Sequence, residues 1–184
     1  MCPMSDGAAS VILCTKEVAM KYTTKLVKMD CAEVITGVFA RNGDDPLWNP
    51  LLDDLSTRCY EMAGYGPEDL NCVELHDAFS PEELSVYESM HLCPVGDSVK
   101  LIRDKVTEMG GRCPVNLSGG LLSLGHPLGA SGCRVVCDVT RQLRGEAAPE
   151  VQIKTRHCGM AQMIGGQQAG RNGAEIATIA LLSV

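Results

Sequence analysis

Four histidines and ten cysteines are the side chains of this chain best able to move protons or attack carbonyl carbon. His126 has the most telling surroundings. It sits in Gly125-His126-Pro127-Leu128-Gly129-Ala130-Ser131-Gly132. Pro127 fixes the backbone after it, and Gly129 and Gly132 let the chain approach a ligand or a neighbouring strand closely. The stretch runs into a helix start, whose free N–H groups favour negative charge. An imidazole held there can deprotonate a thiol or stabilise an oxyanion. A tight glycine turn with an incidental imidazole is the alternative that pattern alone leaves open.

His76 follows the short apolar run Cys72-Val73-Glu74-Leu75 and precedes Asp77 and Ala78. That places it at the carboxyl end of a strand, where open α/β sheets bind ligands. His91 falls at a helix end and reads as surface. His157 and Cys158 are neighbours on an expected strand, so their side chains point to opposite faces and form no dyad. No two cysteines are spaced C-x-x-C. Cys133 and Cys137 share a helix face with no histidine to complete a ligand set, so no metal site is expected. The ten thiols read as free and mostly buried, in a reducing compartment.

The elements that position these groups follow from hydrophobic period and turn chemistry. Strands are expected over residues 7–14, 26–40, 72–75, 151–157 and 174–182. Residues 50–64 carry Leu51, Leu52, Leu55, Cys59 and Met62 at helical spacing and end at Gly64. Ser80-Pro81-Glu82-Glu83 reads as a capping box with proline at the first helical position, opening a helix to about Leu92. Further helices are expected from Asp97-Ser98 to about Glu108 and from Cys133 to Arg144, with a short one over Glu17–Tyr22. Alternating strands and helices imply an α/β layered fold. The last two strands, joined without a helix, should form an antiparallel hairpin.

Composition narrows the function classes. The 184 residues are 45% hydrophobic and 21% charged, which suits a folded domain and not a disordered chain. A net charge of −7 and 4% aromatics argue against nucleic-acid binding. Lys16, Lys21, Lys25 and Lys28 read as solvated surface. No apolar run approaches the ~20 residues of a membrane span. The first residues show no secretory signal, and Ser183-Val184 is no peroxisomal address. The expected compartment is the cytoplasm, with an organelle lumen such as mitochondrion or peroxisome as the alternative.

Five blocks together resemble the C-terminal half of a thiolase. They are Ser5-Asp6-Gly7-Ala8-Ala9, Val73-Glu74-Leu75-His76-Asp77-Ala78-Phe79-Ser80, Pro114-Val115-Asn116-Leu117-Ser118-Gly119-Gly120, the glycine-rich block around His126, and Gln142-Leu143-Arg144-Gly145-Glu146-Ala147. The second and last are similar to the sterol-carrier-protein type. The resemblance implies residues 1–24 as a remnant of the last strand and helix of the N-terminal domain, and 25–184 as the C-terminal domain. That domain would be one βαβαβαββ half, with a mixed five-stranded sheet and helices on its faces. The implied chemistry is acyl transfer between coenzyme A thioesters, by Claisen condensation or its reverse.

In such a site His126 would activate a nucleophilic cysteine carried by the N-terminal half, and His76 would help hold the thioester oxygen. Gly125, Phe79, Gly165 and Gly166 would line the substrate. The acid/base cysteine of the family has no direct counterpart. Its two family positions fall on Ala78 and in Met163-Ile164-Gly165-Gly166, which leaves Cys158 as the candidate if the loop is remodelled. The resemblance implies acyl-CoA as substrate and no bound cofactor. It implies a homo-oligomer or a separate N-terminal half as partner, and in one variant a small partner protein. Two other readings stand beside it: a thiolase-like aldolase acting on steroid side-chain thioesters, and a non-catalytic acyl-CoA- or partner-binding fragment. Residues 5–22 would lack partners without the other half.

Overall fold

The computed structural model describes residues 1–36, 50–165 and 176–184. Its centre is a four-stranded sheet built from β1 (Lys28–Thr36), β2 (Leu70–Glu74), β3 (Cys158–Gly165) and β4 (Ile176–Ser183), in the order β1-β4-β3-β2. β1 and β3 run antiparallel to β4, and β2 runs parallel to β3. The two final strands therefore pair as the expected hairpin. The fold is α/β, with helices on both faces.

Period-2 alternation along β4 serves both faces. Ile179 and Leu181 pack with Leu52, Leu55 and Cys59 of α2 (Pro50–Ala63) and with Tyr87 of α3 (Ser80–Ser89). Leu182 packs on the other face with Val135, Val139 and Leu143 of α6 (Leu128–Arg144). Those α6 residues recur at four-residue steps, so one stripe of the helix is apolar. Gly145, at φ +69°, closes α6 in the left-handed conformation that glycine adopts without a Cβ penalty. The remaining helices are short: α1 (Lys16–Ala19), α4 (Ser98–Arg103) and α5 (Gly120–Leu124). No helix among the described residues is long and apolar enough to cross a membrane.

Several expectations are corrected. The sheet has four strands among the described residues, not five. Residues 7–14 form no strand. They run beside α6, where the Cys137 thiol donates to the Ser10 carbonyl at 3.5 Å, and Ile12 is 91% exposed. Residues 151–157 are not a strand either. A single 3-10 turn, Pro149–Val151, takes the first of them, and β3 begins only at Cys158. β2 has a partial further neighbour, since Val73 donates to Pro114 and accepts from Asn116 in one parallel bridge. The helix from Ser98 stops at Arg103, and that from Cys133 starts earlier, at Leu128. The cap of α3 falls on Phe79, one residue before the serine, with Glu82 reaching back to it. The expected strand residues 37–40 lie outside the described residues.

Candidate active site

His76 leaves the carboxyl end of β2 and His126 stands two residues before α6. Their rings meet edge to face, with centroids 5.2 Å apart and planes at 75°. The two histidines singled out by sequence thus share one place.

His76 is 7% exposed and is held at two points. Its backbone N–H donates to Gln162 Oε1 at 3.0 Å, and its Nδ1 lies 3.0 Å from Glu82 Oε1. The residues around it are tied just as firmly. Leu75 N–H donates to Asn116 Oδ1 at 2.8 Å. The Asp77 carboxylate accepts from the N–H of Leu121 at 2.6 Å and lies 3.5 Å from that of Leu122, which caps the first turn of α5. Glu74, one residue into the strand from Leu75, accepts from both the N–H and the hydroxyl of Ser118 at 3.0 and 2.6 Å. Burial pushes the Glu74 carboxyl up to about 7 despite those bonds.

His126 is partly exposed. Its N–H donates to the Pro3 carbonyl at 3.0 Å. Its Nδ1 lies 2.8 Å from Ser131 Oγ, and that hydroxyl donates its one proton to the Pro127 carbonyl at 3.1 Å. The serine oxygen must therefore accept from the ring, so Nδ1 carries the proton and Nε2 keeps a lone pair. Burial, and then the neighbouring His76, hold the His126 imidazole below the usual histidine range. A neutral ring with a bare Nε2 is the form a general base needs.

The N-terminal segment closes one side of this place. Cys2 N–H donates to the Ala78 carbonyl at 2.8 Å, while Pro3 holds His126, so residues 2 and 3 stitch the two histidine loops together. Gly125, at φ +84°, lies against Ser5, and a Cβ there would overlap the serine hydroxyl.

The other singled-out residues are placed as follows. Phe79 is exposed, and its N–H is taken by Glu82 at 3.3 Å. Gly165 ends β3 opposite Ile176, and Gly166 lies outside the described residues. Cys158 is not brought to the histidines. It pairs with Leu70, the first residue of β2, whereas His76 follows the last, so the two are about 20 Å apart at ~3.3 Å per residue. The Cys158 thiol donates to the Asp69 carbonyl at 3.0 Å, and burial pushes it up to about 11. It is a buried structural thiol. His91 pairs through Nε2 with Asp53, in the first turn of α2, at 2.8 Å. No cluster of three or more potential metal ligands occurs among the described residues.

Glu82, Ser131, Gln162 and the Cys2-Pro3 segment were not singled out by sequence reasoning. Ser131 could have been, because it stands one helical turn beyond Pro127 in the block that carries His126. Gln162, a fully buried amide in an apolar strand, carries no such signal.

Residues 44–174 match the family described as thiolase C-terminal domain-like. The chain is 36% identical over 173 residues to benzoylsuccinyl-CoA thiolase subunit BbsB of Thauera aromatica, an alignment covering 93% of this chain and 45% of that protein. It is 38% identical over 166 residues to sterol carrier protein 2 of Oryctolagus cuniculus, covering 85% of this chain and 30% of that one. It is 35% identical over 165 residues to acetyl-CoA acetyltransferase of Methanothermobacter thermautotrophicus, covering 89% and 43%. The solved Ltp2-ChsH2(DUF35) aldolase shares the fold, with a TM-score of 0.68 over 84% of this chain and 39% of that one, at 21% identity. The chain spans less than half the length of these relatives.

Proposed function

The chain belongs to the thiolase C-terminal domain-like family, and from that premise we propose that it supplies the base and the oxygen-holding half of an acyl-CoA acyltransferase site. The observation that carries this reading is the contact between His76 and His126 at the carboxyl end of β2. The nucleophile comes from an N-terminal thiolase half. His126 Nε2 takes the proton of that cysteine, and the thiolate adds to the 3-oxo carbonyl of the acyl-CoA. The Cα–Cβ bond then breaks, the acyl group stays on sulfur, and the shorter thioester leaves as its enolate. His76 holds the negative oxygen, and the imidazolium of His126 returns its proton to the α-carbon. A second coenzyme A thiol releases the acyl group. No metal or bound cofactor enters this scheme.

A partner is part of the proposal. Ile12, Leu13, Met20 and Tyr22 are exposed, an apolar surface that a packing partner would cover. A second copy of this chain is the other occupant of that surface.

A second reading rests on Ala78 and Met163. Neither side chain moves a proton, and Met163 stands two residues beyond Ala161, the partner of Glu74 at the end of β2. A retro-aldol cleavage of a coenzyme A thioester with a 3-hydroxyl needs one base and one oxygen holder, and no nucleophilic thiol. It would suit a chain that works with a small partner protein.

The deciding experiment mixes the chain with the N-terminal half of a related thiolase and supplies acetoacetyl-CoA. Thiolysis lost in His126→Ala supports the first reading. Cleavage of a 3-hydroxyacyl-CoA thioester without thiolysis supports the second. Binding of acyl-CoA with neither reaction would leave a non-catalytic binding fragment and overturn both.

A further inference from the structure

We propose that Glu82 is the positioning residue of His76, holding the imidazole by Nδ1 so that Nε2 alone is left for chemistry. This rests on the reading of the histidine pair as the site. An ionised carboxylate can only accept hydrogen bonds, so the 3.0 Å contact between Glu82 Oε1 and Nδ1 puts the ring proton on Nδ1. The glutamate is itself fixed. Its second oxygen accepts from Phe79 N–H at 3.3 Å, and its own N–H donates to the Phe79 carbonyl at 2.9 Å. The first turn of α3 is thus clasped to the loop that carries His76. The backbone of His76 is tied on its other side by Gln162. The ring has little freedom to turn.

The arrangement matches that of His126, where Ser131 takes the Nδ1 proton. Both rings of the pair are held by Nδ1, but the two partners differ in charge. The serine is neutral, whereas Glu82 sets a negative charge beside His76. A neutral His76 with its proton on Nδ1 has no N–H at Nε2 to give. Holding a substrate oxygen therefore requires a protonated ring, and the carboxylate is the counter-charge for it. The pair divides its labour accordingly, with His126 as the base and His76 as the donor to the substrate oxygen. In this chain Glu82 does for His76 what a triad carboxylate does for its histidine. It touches no substrate.

The test is nitrogen NMR of the full chain labelled with 15N in its histidines, read in the neutral form of the rings, and it needs no turnover. His76 is expected as the Nδ1–H tautomer, while His91, held by Asp53 through Nε2, serves as the opposite control. Glu82→Ala should shift His76 toward the Nε2–H form that free histidine prefers. Glu82→Gln, whose amide oxygen still accepts, should keep the Nδ1–H form. Unchanged His91 signals establish that each variant is folded. If the alanine variant does not fold, Glu82→Asp, with its shorter reach, takes its place with the same expectation. An Nε2–H tautomer in the unaltered chain, or an Nδ1–H form that survives Glu82→Ala or Asp, overturns the proposal. Failure of the acyl-transfer assay leaves this result standing, and failure here leaves His126 as base.

Discussion

The imidazoles of His76 and His126 touch edge to face, with 5.2 Å between centroids. Two rings this close cannot both carry charge cheaply, because like charges in a partly dry site repel strongly. Burial and His76 both hold His126 low. In an NMR titration the Cε1 proton of His126 should therefore show its midpoint below the ordinary 6.5. His76→Ala removes both the neighbour and part of the cover, so it should raise that midpoint. An unchanged midpoint would separate the two rings electrostatically. Linkage sets the sign for stability. A histidine lowered in the folded state takes its proton more readily when unfolded, so its contribution is lost as pH falls from about 6.5 through the folded value.

Glu74 predicts the opposite slope. Its carboxyl is raised from 4.5 to about 7 by burial. Between those values the folded chain keeps a proton that the unfolded chain has released. Stability from this group is complete below about pH 4.5 and falls as pH rises through 7, by roughly 3 kcal/mol in all at 1.36 kcal/mol per unit. Glu74→Gln retains an oxygen for the Ser118 N–H and never ionises. Urea denaturation at pH 5 and pH 8 should find the variant more stable at pH 8, with the gap closing toward pH 5. A gap of equal size at both values would remove Glu74 as its source.

Gly120 occupies the first position of α5 at φ +62°, and a Cβ there would overlap the Asp77 carboxylate. Gly120→Ala combines a left-handed backbone with a clash, for a loss of about 2 kcal/mol or more. The same displacement should shift the His76 NMR signals, since Asp77 adjoins it. Asp77→Asn, which keeps an accepting oxygen for Leu121, should cost less than Gly120→Ala in thermal denaturation. Equal losses would mean that the cap charge, and not the fit of the glycine, matters there.

Helices α2 and α6 and the closing hairpin were legible because their apolar residues repeat at the period of the element and stand between turn residues. Val151 and Ile153 were legible only as apolar. What overrides their strand preference is a pair of side-chain amides. Gln142 donates to the Val151 carbonyl and accepts from Ile153 N–H, and Gln152 donates back to the Gln142 carbonyl. The backbone groups a strand would use are already taken. The two histidines stood out singly by their glycines and their place after a strand. Their contact is a product of the sheet and could not be seen in one dimension. Glu82 was visible, but as part of a helix start, and one carboxylate does both jobs.

Residues 7–14 have strand composition and pair with no strand among the described residues. Ile12 and Leu13 are 91% and 70% exposed, and Tyr22 is 85% exposed. Burying such side chains is worth about 1.5–3 kcal/mol each, so a free surface of this kind favours association. The chain alone should scatter light as a concentration-dependent oligomer and bind a hydrophobic dye. Ile12→Ser with Leu13→Ser should reduce both effects. Their effect on urea unfolding should stay within about 0.5 kcal/mol, because exposed side chains contribute little to the folded state. The same pair of substitutions should weaken capture of an added N-terminal thiolase half. If the unaltered chain is a dye-silent monomer at every concentration, this surface needs no cover and the partner falls away. If the variants lose a large part of their stability, these side chains pack within the chain and the exposed face lies elsewhere.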